Sequence, residues 1–267
     1  MPNLADSCFL PAGAKSATLA GARLGEGPAS FEWGAGGGAT FYTDMRLAEV
    51  KAQVQGKKVA WLLEPPWKDM HYIAAYSLRD QFDYILTYRK DQPGKNLFYP
   101  LGGSWIKPDD WGVHDKSAMV SMIASEKNET RGHKLRHQVA RHFKGIDLWG
   151  RGYQPIDGKL PGLRPYRYSI VIESWRGDWY FSEKLIDCLS QGTVPIYWGC
   201  PDIGRFFDLR GIIPFNDLDQ LSGILRSTIG MQDYEKRLVG IRNNLKLARK
   251  YQCAEDWIYR EYPFLFV

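Results

Sequence analysis

Glu183 and Lys184 stand side by side, directly after Ser182 and directly before Leu185, Ile186 and Leu189. The apolar spacing predicts a helix over 182–191. Ser182 suits the N-cap, and Gly192 suits the left-handed residue that closes such a helix. A helix N-terminus offers unpaired N–H groups and the positive end of a dipole. Glutamate in the first turn fits that dipole and lysine does not. A lysine there is explained if its ammonium reaches an anion. The adjacent carboxylate is then placed to accept hydrogen bonds from a vicinal diol. Ribose on Glu183 and phosphate on Lys184 describe a clamp for a nucleoside diphosphate. The plain alternative is an ordinary surface Glu–Lys pair.

Two further carboxylates end apolar runs. "KKVAWLLE" finishes at Glu64 and "YRYSIVIE" at Glu173. Each half of the chain therefore sends a strand-like segment to an acid at its C-terminal end. An acid can also simply mark where a strand leaves the core. Pro65 and Pro66 follow Glu64 and cannot continue a sheet interior, which places Glu64 at a sheet rim.

The elements that must position these groups alternate. "GATFYTD", "KKVAWLLE" and "FDYILTY" read as strands, and "DMRLAEVKAQVQ" reads as a helix between the first two. After the Gly- and Pro-rich stretch "LGGSWIKPDDWGVHDKSA", a second alternation runs through "MVSMIAS", the helix "GHKLRHQVARHF", "GIDLWG", "YRYSIVIE", the 182–191 helix and "TVPIYW". Apolar strands alternating with helices imply parallel sheets covered on both faces. The expected fold class is α/β, with two such parallel-sheet units facing a central cleft. Residues 1–115 form the first domain, 116–245 the second, and 246–267 a C-terminal helix or tail that crosses back to the first.

Composition bounds the function. The 267 residues are 44% hydrophobic and include ten Trp, enough for large cores. The net charge of +5 comes from 35 basic and 30 acidic residues that interleave. This fits a basic site for a phosphorylated small molecule better than a nucleic-acid face. No eighteen-residue apolar run and no signal-peptide pattern occurs. Cys8, Cys188, Cys200 and Cys253 show no metal or disulfide spacing, so a soluble cytoplasmic protein with reduced thiols is expected.

The segment "YRYSIVIESWRGDWYFSEKLIDCLSQGTVPIYWGCPDI" closely resembles the signature of glycosyltransferase family 10, the alpha-1,3/1,4-fucosyltransferases. The matching positions are Tyr168, Glu173, Ser174, Tyr180, Ser182, Glu183, Lys184, Gly192, Pro195 and Gly199. Ser174 stands where the family usually has Asn. "VAWLLEPPW", "FDYILTYRKD" with "LFYPLGG", and "MVSMIASEKNETRGHKLRHQVARHFKGIDLWGRG" extend the likeness over roughly 57–215. The resemblance implies a GT-B arrangement of two Rossmann-like domains around a cleft, and an inverting transfer of L-fucose from GDP-fucose to a glycan hydroxyl. It implies that Lys184 and Arg136 hold the diphosphate, with Arg131 close by as the alternative arginine. Glu183 would take the ribose, and Tyr180, Ser174 and Ser125 the rest of the donor, with Glu173 on the same side. Glu64 would be the general base. No cofactor or metal is implied beyond the nucleotide-sugar substrate. The partners would be that donor and a glycan acceptor, in an enzyme of bacterial or viral type, with peripheral membrane contact left open. Another donor, such as a UDP-pentose or GDP-hexose, and a non-catalytic sugar-nucleotide-binding or glycan-binding module remain alternatives.

Three motifs are set aside. "GAGGGA" at 34–39 precedes a strand rather than a helix, so it is read as a flexible turn. "DLD" at 217–219 opens a helix, so it is read as capping rather than as a metal motif. His133 and His137 lie four apart and are read as surface histidines.

Overall fold

The computed structural model describes residues 3–5, 27–33, 38–51, 56–66, 69–89, 95–101 and 103–266. The chain divides into two units. The first comprises Met1–Gly103, Asp178–Tyr180 and Cys253–Val267, and the second Ser104–Gly177 and Phe181–Gln252. The division falls at Gly103/Ser104, within the Gly- and Pro-rich stretch and ahead of the expected 115/116. The expected return of the C-terminal tail begins at Cys253 rather than at 246.

In the first unit, β1 (Asn3–Ala5), β2 (Ala39–Thr43), β3 (Lys57–Trp61), helix α1 (Asp69–Ser77), β4 (Tyr84–Thr87) and β5 (Asn96–Phe98) follow in chain order. The strands pair in parallel in the order β1-β2-β3-β4-β5. Val59, Ala60 and Trp61 are fully buried, as a strand covered on both faces requires. One core cluster joins Tyr42, Ala60, Leu62 and Ile85 to Tyr72 and Ala75 of α1. The segment expected to be an α-helix over "DMRLAEVKAQVQ" is a 3-10 helix over Asp44–Lys51, and 52–55 lie outside the described residues. The tail docks on this sheet through the ring pair Tyr84–Phe264 and a 2.7 Å bond from the Tyr262 hydroxyl to the Phe98 carbonyl.

In the second unit the order along the chain is β6 (Ala118–Ile123), α2 (Arg131–His142), β7 (Asp147–Trp149), the short α3 (Leu160–Leu163), β8 (Tyr166–Ile172), α4 (Glu183–Ser190), β9 (Val194–Trp198), β10 (Ile213–Pro214), α5 (Leu218–Ser227) and α6 (Met231–Ala248). Helix α7 (Ala254–Glu261) then lies in the part of the chain grouped with the first unit. The sheet is parallel in the order β10-β9-β8-β6-β7. Pro195 sits in an interior strand, but β10 pairs only with Ile196 and Tyr197, so β9 is a local edge at the proline. The core gathers Met122, Ile170, Ile172 and Ile196 from the sheet, Leu135 and Val139 from α2, Leu221 from α5 and Ile241 from α6.

The two sheets differ in strand order. The first runs sequentially. In the second the chain leaves β6 for β7 on one side, then returns to β8 on the other. That 2-1-3-4-5 order creates a topological switch point between β6 and β8. Open α/β sheets bind ligands outside the carboxyl ends of the strands at such a point.

Candidate functional site

At that switch point the chain continues from Ile123 to Ser125 and from Ile172 to Glu173 and Ser174. Helices α2 and α4 begin beside it. Ser182 is the N-cap of α4, accepting the Lys184 N–H, and Gly192 closes the helix at φ +64°. Its hydroxyl does more than cap. It donates to Glu173 Oε2 at 2.6 Å and accepts from Lys184 Nζ at 3.1 Å, while the Ser182 N–H donates to Glu173 Oε1 at 2.9 Å. Glu173 is fully buried. Lys184 Nζ lies 3.0 Å from Glu183 Oε1 and 3.7 Å from Glu173 Oε2.

These contacts set the charge states. Burial works against the Lys184 ammonium, but Glu183 and Glu173 outweigh it and hold its pKa above the ordinary lysine value. Burial also opposes ionisation of Glu183, yet Lys184 and then Lys159 pull its carboxyl down to about 2. Burial pushes Glu173 up against the pull of Lys184. Arg136, on α2, is buried and donates from Nε and Nη2 to the Ile172 carbonyl, the Nε bond being 3.0 Å long. Its positive charge works against that of the Lys184 ammonium.

Close backbone approach brings α2 here. A Cβ on Gly132 would lie 1.8 Å from the Glu173 carbonyl oxygen, and one on Gly199 would lie 2.7 Å from Glu173 Cγ. Only glycines let α2 and the end of β9 close around Glu173. Thr130 caps α2 in a reciprocal box: the His133 N–H reaches Thr130 Oγ1 at 3.1 Å, and the Thr130 N–H reaches His133 Nδ1 at 3.3 Å. His133 is therefore buried, not a surface residue. Burial, with Arg136 and Lys127, pushes its pKa down to about 4. His137 is engaged by the Tyr153 hydroxyl and the Lys127 carbonyl. Asp217 caps α5 through the Gln220 N–H at 2.8 Å, as the capping reading of "DLD" expects. Residues 34–37 of "GAGGGA" lie outside the described residues. Among the described residues no group of three His, Cys, Asp or Glu could hold a metal, and no helix is long and apolar enough to cross a membrane. Cys188, Cys200 and Cys253 are free thiols, and Cys8 lies outside the described residues.

No family model matches the chain. Over 66 residues it is 32% identical to an alpha-(1,3)-fucosyltransferase, FucT, of Helicobacter pylori, a stretch that is 25% of this chain and only 14% of that protein. In fold it matches a crystal structure of an alpha1,3-fucosyltransferase with GDP at a TM-score of 0.51 and 15% identity, covering 80% of this chain and 77% of the other. A quarter of the chain thus resembles a fucosyltransferase in sequence, and its fold resembles that of the alpha1,3-fucosyltransferase structure. It also matches TarM at a TM-score of 0.54 and 10% identity, covering 85% of this chain and 54% of TarM. The α/β fold is thus GT-B-like, built from two units with parallel sheets.

Within the second unit, the structure brings Glu173, Glu183, Lys184 and Arg136 together at the end of β8. Ser174 follows them in the same loop, half-buried, and Ser125 stands two residues beyond β6, also half-buried. Tyr180 is grouped with the first unit, where its buried ring meets Tyr88 edge-on at 5.2 Å. Glu64, half-buried, also belongs to the first unit, three residues past β3. Two arginines that sequence reasoning did not place together, Arg131 and Arg176, each lie 5.7 Å from the Trp198 ring centre. Their common target is legible only once β9 is known to end beside α2.

Proposed function

We propose that the protein is an inverting glycosyltransferase that moves L-fucose from GDP-fucose to a hydroxyl of a glycan acceptor. The observation that carries this reading is the convergence of Lys184, Arg136 and the α4 N-terminus at the switch point of a nucleotide-binding type of sheet. The similarity to alpha-(1,3)-fucosyltransferases supports the choice of donor. The Arg136 charge works against the Lys184 ammonium, and a diphosphate bound by both relieves that opposition. Lys184 moves from Glu183 to the phosphate, and Glu183 is released to the ribose hydroxyls. Ser174 and Ser125 line the remainder of the donor. Glu173 and Tyr180 are buried, so they act by holding the loop that carries these groups.

In the reaction the acceptor oxygen forms a bond to the anomeric carbon as the bond from that carbon to the diphosphate breaks. The electron pair leaves with the diphosphate, where Lys184, Arg136 and the helix end meet the growing negative charge. The acceptor's proton passes to Glu64. The charge comes from side chains and a helix dipole, so this reading assigns no role to a divalent cation.

Calorimetric titration with GDP and with UDP, on wild type and Lys184→Ala, tests the clamp. Transfer from GDP-fucose to a panel of glycan acceptors tests the reaction. Loss of a charge-assisted contact of about 1.5–3 kcal/mol lowers GDP affinity by roughly 10- to 100-fold. Unchanged GDP affinity in a folded Lys184→Ala protein would remove the reading, and a preference for UDP would replace the donor.

A further inference from the structure

Residues Leu62, Leu63 and Glu64 leave the first sheet between the end of β3 and Pro65. Their backbone is held mainly by buried side chains. The Leu62 N–H still joins the sheet, donating to the Leu86 carbonyl at 3.0 Å. The next two N–H groups both go to one carboxylate: Leu63 N to Asp44 Oδ1 at 3.0 Å and Glu64 N to Asp44 Oδ2 at 3.2 Å. Three tyrosines take the carbonyls. Tyr99 donates to Leu62 O, Tyr88 to Leu63 O, and Tyr72 to Glu64 O at 3.3 Å. All six backbone polar groups of the segment are partnered. Asp44 and the three tyrosines are each no more than 3% exposed. The Tyr88 and Tyr99 oxygens also lie 2.7 Å apart, so two hydroxyl protons serve three contacts and the pair acts as one unit.

A chain leaving a sheet ordinarily gives these groups to water. Burying a carboxylate is costly unless it is hydrogen-bonded, and Asp44 accepts from two consecutive N–H groups of one short segment. Burial also pushes all three tyrosines above their ordinary pKa, so they are neutral donors. The result is a rim whose path is fixed on both its donor and its acceptor side, immediately before the proline pair.

We propose that Asp44 is a positioning residue that, with Tyr72, fixes the Glu64 main chain and so aims the Glu64 carboxylate at the acceptor hydroxyl. The inference rests on Glu64 being the base. Asp44 is buried and acts through the backbone of Glu64. Misplacing a reacting group by about an ångström costs on the order of 100-fold in rate.

The test is a double-mutant cycle with Asp44→Asn and Glu64→Gln, reading kcat for transfer from GDP-fucose, GDP affinity and melting temperature. Asp44→Asn sets an amide NH2 against one of the two N–H groups. It lowers kcat about 10- to 100-fold with GDP affinity unchanged. In the Glu64→Gln background it lowers kcat no further, because the aim of a group that cannot take the proton no longer matters. Equal losses in both backgrounds, or wild-type kcat in folded Asp44→Asn, overturn the inference. In that second case a disabled Glu64→Gln leaves the base reading standing alone. Near-normal transfer by Glu64→Gln overturns the base reading and this inference together. If Asp44→Asn does not fold, Tyr72→Phe removes only the hydroxyl on Glu64 O. The same cycle then applies, with a loss of about 3- to 10-fold in kcat expected and wild-type kcat overturning the proposal.

Discussion

Replacing Ser182 by alanine removes one oxygen that serves three partners. The hydroxyl caps α4 through the Lys184 N–H at 3.4 Å, accepts the Lys184 ammonium at 3.1 Å, and donates to buried Glu173 at 2.6 Å. Loss of an N-cap costs about 1 kcal/mol. Loss of a hydrogen bond to a charged, buried acceptor costs about 1.5–3 kcal/mol. Among the described residues, Oε2 of Glu173 then keeps Lys184, 3.7 Å away. Burial already pushes the Glu173 pKa up, and removing a donor to its charged form pushes it further. The losses share partners and do not simply add, so about 3 kcal/mol is expected. For a domain of this size that lowers the melting midpoint by roughly 6–12 °C. Thermal unfolding at pH 7 of wild type, Ser182→Ala and Ser182→Thr is the assay. Threonine keeps the hydroxyl and stays within about 1 kcal/mol of wild type. A Ser182→Ala protein that melts within 1 °C of wild type (roughly 0.3 kcal/mol on the same scale) would show that Glu173 and Lys184 do not depend on this hydroxyl, and the account of the loop would fall.

Local signals were legible where one element makes its own ends. Ser182 and Gly192 bracket α4 in sequence and in structure, and the apolar runs ending at Ile172 and Trp198 are strands, buried throughout but for half-buried Arg167. Signals that depend on distant partners were not. Asp44 opens the segment expected to be an α-helix, but its carboxylate is taken by the backbone of residues 63 and 64, and the segment is a 3-10 helix. His133 occupies the position where a capping box usually carries Glu or Gln, so its burial left no recognisable trace in the sequence. Glu173 was legible as an acid at a strand end, but its full burial depends on Gly132 and Gly199, from two other elements. The strand order that creates the switch point, and the grouping of 178–180 with the first unit, depend on non-local pairing that no periodicity encodes.

Two further tests probe how α2 meets the site. Gly132→Ala, in a helical position where alanine ordinarily stabilises, has the opposite sign here, because its Cβ would meet the Glu173 backbone at 1.8 Å. A loss of about 1–3 kcal/mol in urea unfolding is expected, and an unchanged or raised midpoint would contradict the packing. His133→Gln addresses pH. The His133 pKa is about 4 in the folded protein against an ordinary value of 6.5, so the unfolded chain binds the proton more tightly. This contribution to stability is present above pH 6.5 and is lost as the pH falls through 4. At about 1.36 kcal/mol per unit the whole loss is about 3 kcal/mol. Glutamine can still accept the Thr130 N–H as the box requires but cannot be protonated. Other titrating groups, Asp187 and Glu183 among them, remain in both proteins and cancel in the comparison. Between pH 7 and pH 4 the variant therefore loses about 3 kcal/mol less than wild type. Parallel stability curves across that range would mean that His133 is not held neutral by burial beside Arg136, and the cationic character assigned to this end of the sheet would lose its second witness.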